Sequence, residues 1–179
     1  MEFMWYTDKK KIALIILSII CIAIVIDLIY VFIYPSLLVE NMKSKTIVNA
    51  TSSLEKQAVS NAERIYYEIN ASKRKVENNP DIMNLLKEEI GDKTFLISII
   101  SGEHRIWTMF FKINDGKIMT LMENVDREAD CYVWMDYKTM AKLEENYEVA
   151  IVEVAQGKIK IAPPGCYGDF LTLMRLREK

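Results

Sequence analysis

Histidine is almost missing from this sequence: His104 is the only one in 179 residues. Nucleophilic catalysis by Ser or Cys normally relies on a histidine base. The one candidate falls in Gly102-Glu103-His104-Arg105, whose composition reads as an exposed turn. Cysteine is also sparse, with Cys21, Cys131 and Cys166 and no Cys-x-x-Cys, so the paired-ligand spacing of a zinc site is not available. The six glycines are scattered and build no phosphate-cradling loop, and the carboxylates show no calcium-loop spacing. Charge of one sign is lacking too. With 23 Lys and Arg against 25 Asp and Glu there is no basic face to neutralise phosphates, which sets nucleic acid aside as a partner. The expectation is a chain that is not an enzyme and has no catalytic residue, no metal ligand set and no cofactor.

What the sequence does contain is one long apolar run. From Ile12 to Tyr34 it reads IALIILSIICIAIVIDLIYVFIY, and as a helix this run reaches roughly 34 Å, enough to cross a hydrocarbon core. Asp27 is its single charge, at a cost of up to about 3.5 kcal/mol at mid-bilayer, and the surrounding Ile, Leu, Val and Phe outweigh it. Trp5 and Tyr6 suit one interface, Tyr30 and Tyr34 the other. The run is longer than the apolar core of a signal peptide and no small-x-small cleavage site follows it, so a retained anchor over 12–34 is expected. The cluster Lys9-Lys10-Lys11 keeps the tail 1–11 in the cytoplasm and directs the rest outward.

Residues 35–78 form the next segment, expected as a helical stalk. No proline or glycine stands between Pro35 and Pro80, and Ile47, Leu54, Ala58, Ala62, Ile65, Ile69 and Val76 recur at helical spacing. The stripe is too narrow to fill a large core. It suits either self-association over 47–76 as a weak coiled coil, giving a homo-oligomer, or packing against the following domain.

Residues 79–179 read as one domain. Asn79-Pro80 starts a helix and Gly91 stops it. Runs rich in β-branched and aromatic residues begin at Thr94, Arg105, Lys117 and Asp130, with turn residues at Gly102-Glu103-His104 and Asn114-Asp115-Gly116. Two helical stretches follow, around Met140 and from Val149 to Ala155, then a strand from Gly157 and a closing helix with Phe170 and Leu176. This order predicts an α+β domain, a five-stranded antiparallel sheet covered by helices. Cys131 and Cys166 are expected as two buried free thiols, with pairing as the alternative in an oxidising compartment.

Three stretches carry a resemblance: Asn114-Asp115-Gly116-Lys117, Ala129-Asp130-Cys131-Tyr132-Val133-Trp134-Met135, and Ala155-Gln156-Gly157-Lys158-Ile159-Lys160-Ile161. In order and spacing this half of the chain resembles the sterol carrier protein 2 (SCP2) family of lipid-binding domains. It departs from the family at Glu144-Glu145-Asn146 and at Pro163-Pro164. The resemblance implies a hydrophobic tunnel between sheet and helices that takes a lipid tail, with the closing helix in its wall. Alternation along the second strand puts Trp107, Met109 and Phe111 on one face, and Trp134 shares a face with Tyr132. With Met140, Phe170, Leu173 and Met174 these are the expected lipid-binding residues, since aromatic and methionine side chains suit an adaptable apolar pocket. The expected function is a membrane-anchored module that binds or transfers a lipid or sterol-like ligand. The alternative is a tethered sensor or assembly subunit using the same domain as a protein-interaction scaffold.

Overall fold

The computed structural model describes residues 18–25, 34–143 and 148–176. The chain divides into two units, Met1–Leu38 and Val39–Lys179. In the first, a helix over 18–25 (α1) exposes Ile19, Ile20, Ile22, Ile24 and Val25. The tail 1–11 and the remainder of the expected anchor before Tyr34, Asp27 included, lie outside the described residues. Among the described residues no helix is long and apolar enough to cross a membrane.

The second unit takes in the end of α2 (Tyr34–Lys43), then α3 (Ser53–Glu77), α4 (Pro80–Leu85) continuing as a π-helical turn over Leu86–Ile90, β1 (Lys93–Ser101), β2 (His104–Asn114), β3 (Lys117–Glu123) and β4 (Cys131–Asp136). It closes with α5 (Tyr137–Leu143), α6 (Glu148–Ala155), β5 (Ile159–Ala162) and α7 (Cys166–Leu176). Local chemistry accounts for several boundaries. The Ser52 hydroxyl accepts from the Glu55 amide while the Glu55 carboxylate accepts from the Ser52 amide, a capping box that starts α3. Asn79 Oδ1 accepts from the amides of Asp81 and Ile82, with Pro80 at the first helical position. Gly91, at φ +70°, ends the π-helical turn.

The five strands lie in the order β3-β2-β1-β4-β5. The expected hairpins β1-β2 and β2-β3 are antiparallel neighbours, as is β4-β5. The sheet is nevertheless mixed rather than antiparallel, because β4 pairs β1 in parallel, Phe95 beside Cys131 through Ile100 beside Asp136. Parallel neighbours need a crossover. Here residues 124–130 return across the sheet instead of turning back on β3. They are held there by Asn124 N to Thr108 O at 2.8 Å, Thr108 Oγ1 to Val125 O at 2.9 Å, and Asp130 Oδ2 accepting from Thr94 N at 2.8 Å. The Asp130 carboxyl is accordingly held below its ordinary range, first by the Thr94 hydroxyl and then by the Thr94 amide.

The stripe over 47–76 packs within the chain. Ala58 and Ala62 are buried in the main core, with Val59, Ile65, Ile69 and Val76 packed against it. Small residues one turn apart let α3 approach α5 closely, and Asn61 Nδ2 donates to the Ala141 carbonyl at the crossing. This is the second of the two arrangements the stripe allowed. The segment is broken at 44–52 rather than continuous, and Ile47 forms a parallel bridge with Arg105 at the sheet. The β2-β3 turn is also constrained: a Cβ on Gly116 would lie 2.3 Å from the Met83 carbonyl oxygen, and φ there is +72°.

Candidate functional site

Strand register decides which expected site residues meet. Ile99 pairs Trp107, Ile97 pairs Met109 and Phe95 pairs Phe111, while across β4 Phe95, Ile97 and Ile99 pair Cys131, Val133 and Met135. Side chains at these positions share the first face of the sheet. Trp107, Met109, Phe111, Met140 and Phe170 all belong to one buried cluster on this face, and Leu173 packs against it. The rings of Phe95 and Phe111 stack, 4.8 Å apart and 7° from parallel. Ala58 and Ala62 of α3, Leu86 and Ile90 of the π-helical turn, and Val154 of α6 complete the wall. Polar contacts also enter this layer, among them Trp107 Nε1 donating to Glu123 Oε1 at 3.2 Å.

Trp134 does not join them. It pairs with Ser98 and Lys160, so with Leu96, Phe110 and Tyr132 it faces the second side of the sheet, where it is 8% exposed. Met174 lies on α7, but its side chain is outside the described residues.

α7 closes one end of the first face and is held there by three ties. Cys131 and Cys166 form a disulfide between the first residue of β4 and the first of α7, Cα atoms 5.7 Å apart. The expectation of two free thiols is therefore replaced: the parallel seating of β4 beside β1 brings its first residue under the start of α7, within disulfide reach. Lys93 pairs with the buried Asp169 carboxylate, and Thr172 Oγ1 donates to Glu89 Oε2 at 2.9 Å. The ligand-type atoms of Cys131, Cys166 and Asp169 lie within 4.8 Å of one another. With the sulfurs bonded to each other and the carboxylate paired to Lys93, this cluster offers no thiolate to a metal.

The second face is sealed differently. Arg105, 2% exposed, donates to the Lys45 carbonyl and makes a two-pronged ion pair with Asp126 at 2.8 and 2.9 Å. That contact holds the Asp126 carboxyl below the ordinary range. Met42 covers Ser98, Lys43 lies over the Tyr132 ring and Arg127 over the Phe110 ring. His104 is exposed, with Nδ1 3.2 Å from Thr46 Oγ1, on the turn where Lys45 also meets Glu103 and the Gly102 carbonyl. Sequence reasoning missed Arg105 and Glu55 as structural contacts. The signal for Glu55 was present in the Ser-x-x-Glu spacing from Ser52; nothing local distinguished Arg105 from a surface arginine.

No protein-family model and no curated protein matches the chain. Solved structures similar to it include several SCP2-domain proteins. Sterol carrier protein 2 like 2 from Aedes aegypti is 14% identical, with a TM-score of 0.44 over 65% of this chain and 94% of that one. A UbiJ-SCP2 ubiquinone synthesis protein is 9% identical, with a TM-score of 0.45 over 66% of this chain and 98% of its own. A Thermus thermophilus protein described as possibly a sterol carrier protein is 11% identical, with a TM-score of 0.40 over 73% of this chain and 92% of that one.

Proposed function

We propose that the second unit binds the apolar tail of a lipid or other amphiphile between the first face of its sheet and the helices, without catalysis, and exchanges it with the membrane that holds the 12–34 run. The observation that carries this reading is the composition of the buried layer. Trp107, Met109, Phe111, Met140 and Phe170 gather on one side of the sheet under a short terminal helix. Methionines refill irregular space at little cost, and aromatic rings offer broad apolar contact, so such a layer can part around a chain and close again. The Cys131–Cys166 disulfide and the lysine cluster before the apolar run support an extracytoplasmic domain, where disulfides persist.

The test uses the full chain, purified in mild detergent, with Trp5→Phe and Trp134→Phe leaving Trp107 as the one tryptophan. Titration with a brominated fatty acid is expected to quench Trp107 emission saturably, and extraction of the untreated protein is expected to release lipid detectable by mass spectrometry. Trp107 emission indifferent to the brominated chain, together with no bound lipid, overturns the reading.

A further inference from the structure

We propose that the Cys131–Cys166 disulfide is a thiol-operated latch that sets how readily α7 leaves the apolar layer. The inference rests on the amphiphile-binding reading and adds its control. α7 is the terminal element of the described chain, and it places Phe170 in the core and Leu173 against it. Its ties are all to one edge of the layer. The disulfide fixes its first residue, Asp169 meets Lys93 in the first turn, and Thr172 meets Glu89 one turn on. The covalent tie spans 35 residues of sequence and is the one a dithiol breaks. The other two are a single ion pair to the buried Asp169 and a single hydrogen bond, and neither is covalent.

The location of the sulfurs suits reversible opening. Both are buried, but Cys166 directly follows the exposed turn Pro163-Pro164-Gly165, so unwinding the first turn of α7 uncovers it without disturbing the sheet. First turns of helices are among the least stable elements of a fold. A thiolate of an incoming dithiol attacks the uncovered Cys166 Sγ and forms a mixed disulfide, and the Cys131 sulfur leaves with the bonding electron pair. The second thiol of the reductant then displaces Cys166. Two electrons pass to the protein, both cysteines end as protonated thiols, and the reductant ends as a disulfide. With the covalent tie gone, α7 keeps the Lys93–Asp169 ion pair, the Thr172–Glu89 hydrogen bond and the apolar contacts of Phe170 and Leu173, none of them covalent.

The experiment compares full-length protein, carrying Trp5→Phe and Trp134→Phe, before and after dithiothreitol. The probe is an anthroyloxy-labelled stearic acid read by energy transfer from Trp107. Alkylation and mass spectrometry report the thiols, and amide hydrogen exchange reports α7. Reduction without denaturant is expected to raise exchange in Cys166–Leu176 and probe release by about tenfold, with β1 and β2 unchanged. A Cys131→Ser/Cys166→Ser variant is expected to show the fast rates without dithiothreitol and no further response to it. The latch is overturned if the disulfide yields only after denaturation, or if α7 exchange or probe release is indifferent to its loss. A probe that binds neither form, with α7 still loosened by reduction, overturns the amphiphile reading and leaves the latch on the helix supported.

Discussion

The two faces of the sheet are buried by different physics. The first is covered by helices, and its seal is apolar: Phe95, Trp107, Met109, Phe111 and Val133 meet Ala58, Ala62, Met140 and Phe170. The second also carries large apolar side chains, Leu96, Phe110, Tyr132 and Trp134, yet over it run residues 124–130 and the end of α2, fastened by Arg105–Asp126, Lys43–Glu128 and Thr108–Val125. An irregular segment has backbone polar groups to satisfy, so wherever it crosses a sheet it requires directional partners. A helix has satisfied most of its own and presents side chains alone. The first face is therefore the one on which the proposed amphiphile binding rests, and the second is the one that fixes the frame.

The largest test of this contrast removes the cover of the first face. A chain begun at Asn79 lacks α3, and with it Ala58 and Ala62 of the core; it is expected to show no cooperative thermal transition by circular dichroism, whereas a chain begun at Val39 is expected to melt cooperatively. Next, Phe111→Ala in the stacked pair is expected to cost about 3–5 kcal/mol in urea denaturation. On the second face, Asp126→Asn leaves the buried Arg105 guanidinium with a weaker partner. Because Asp126 is 56% exposed, solvent screens the loss, and about 1–2 kcal/mol is expected from the same measurement. A cost at Asp126→Asn that matched Phe111→Ala would remove the distinction between the faces.

The smallest effect is with pH. Glu55 accepts hydrogen bonds from Ser101 Oγ, from the Ser52 and Thr51 amides and from Thr51 Oγ1, and these lower its pKa from 4.5 to about 2, the Ser101 bond contributing most. A carboxylate lowered on folding contributes stability that is complete above its ordinary pKa and fades as pH falls toward the folded value. The urea midpoint is thus expected to hold from neutral pH down to the ordinary carboxylate range and to decline between pH 4.5 and about 2. Asp126 and Asp130, shifted the same way, add to the decline. Glu55→Gln is expected to lessen the acid slope and to speed amide exchange at the start of α3.

Much of the second unit was legible residue by residue. Asn79-Pro80 and Gly91 bound a helix, Asn114-Asp115-Gly116 turns a hairpin, and the β-branched and aromatic runs are the strands, because capping, positive φ and side-chain alternation act over a few residues. The spacing of Ala58 and Ala62 marked a helix face without saying what it would meet. The candidate site was legible as a set of residue types, and alternation alone placed Trp107, Met109 and Phe111 together.

The side of the sheet for Trp134 was beyond the sequence, since alternation fixes a face only relative to neighbours on the same strand. Joining two strands requires their register, and that depended on residues 124–130 crossing to set β4 parallel to β1. The same crossing brought Cys131 to Cys166 and buried Arg105 against Asp126. The sequence by itself determined the elements, their ends and the apolar character of the core, all products of short-range sterics and periodicity. Tertiary structure alone decided which elements became neighbours, because the partners lie tens of residues apart and meet only once the chain between them has chosen its path.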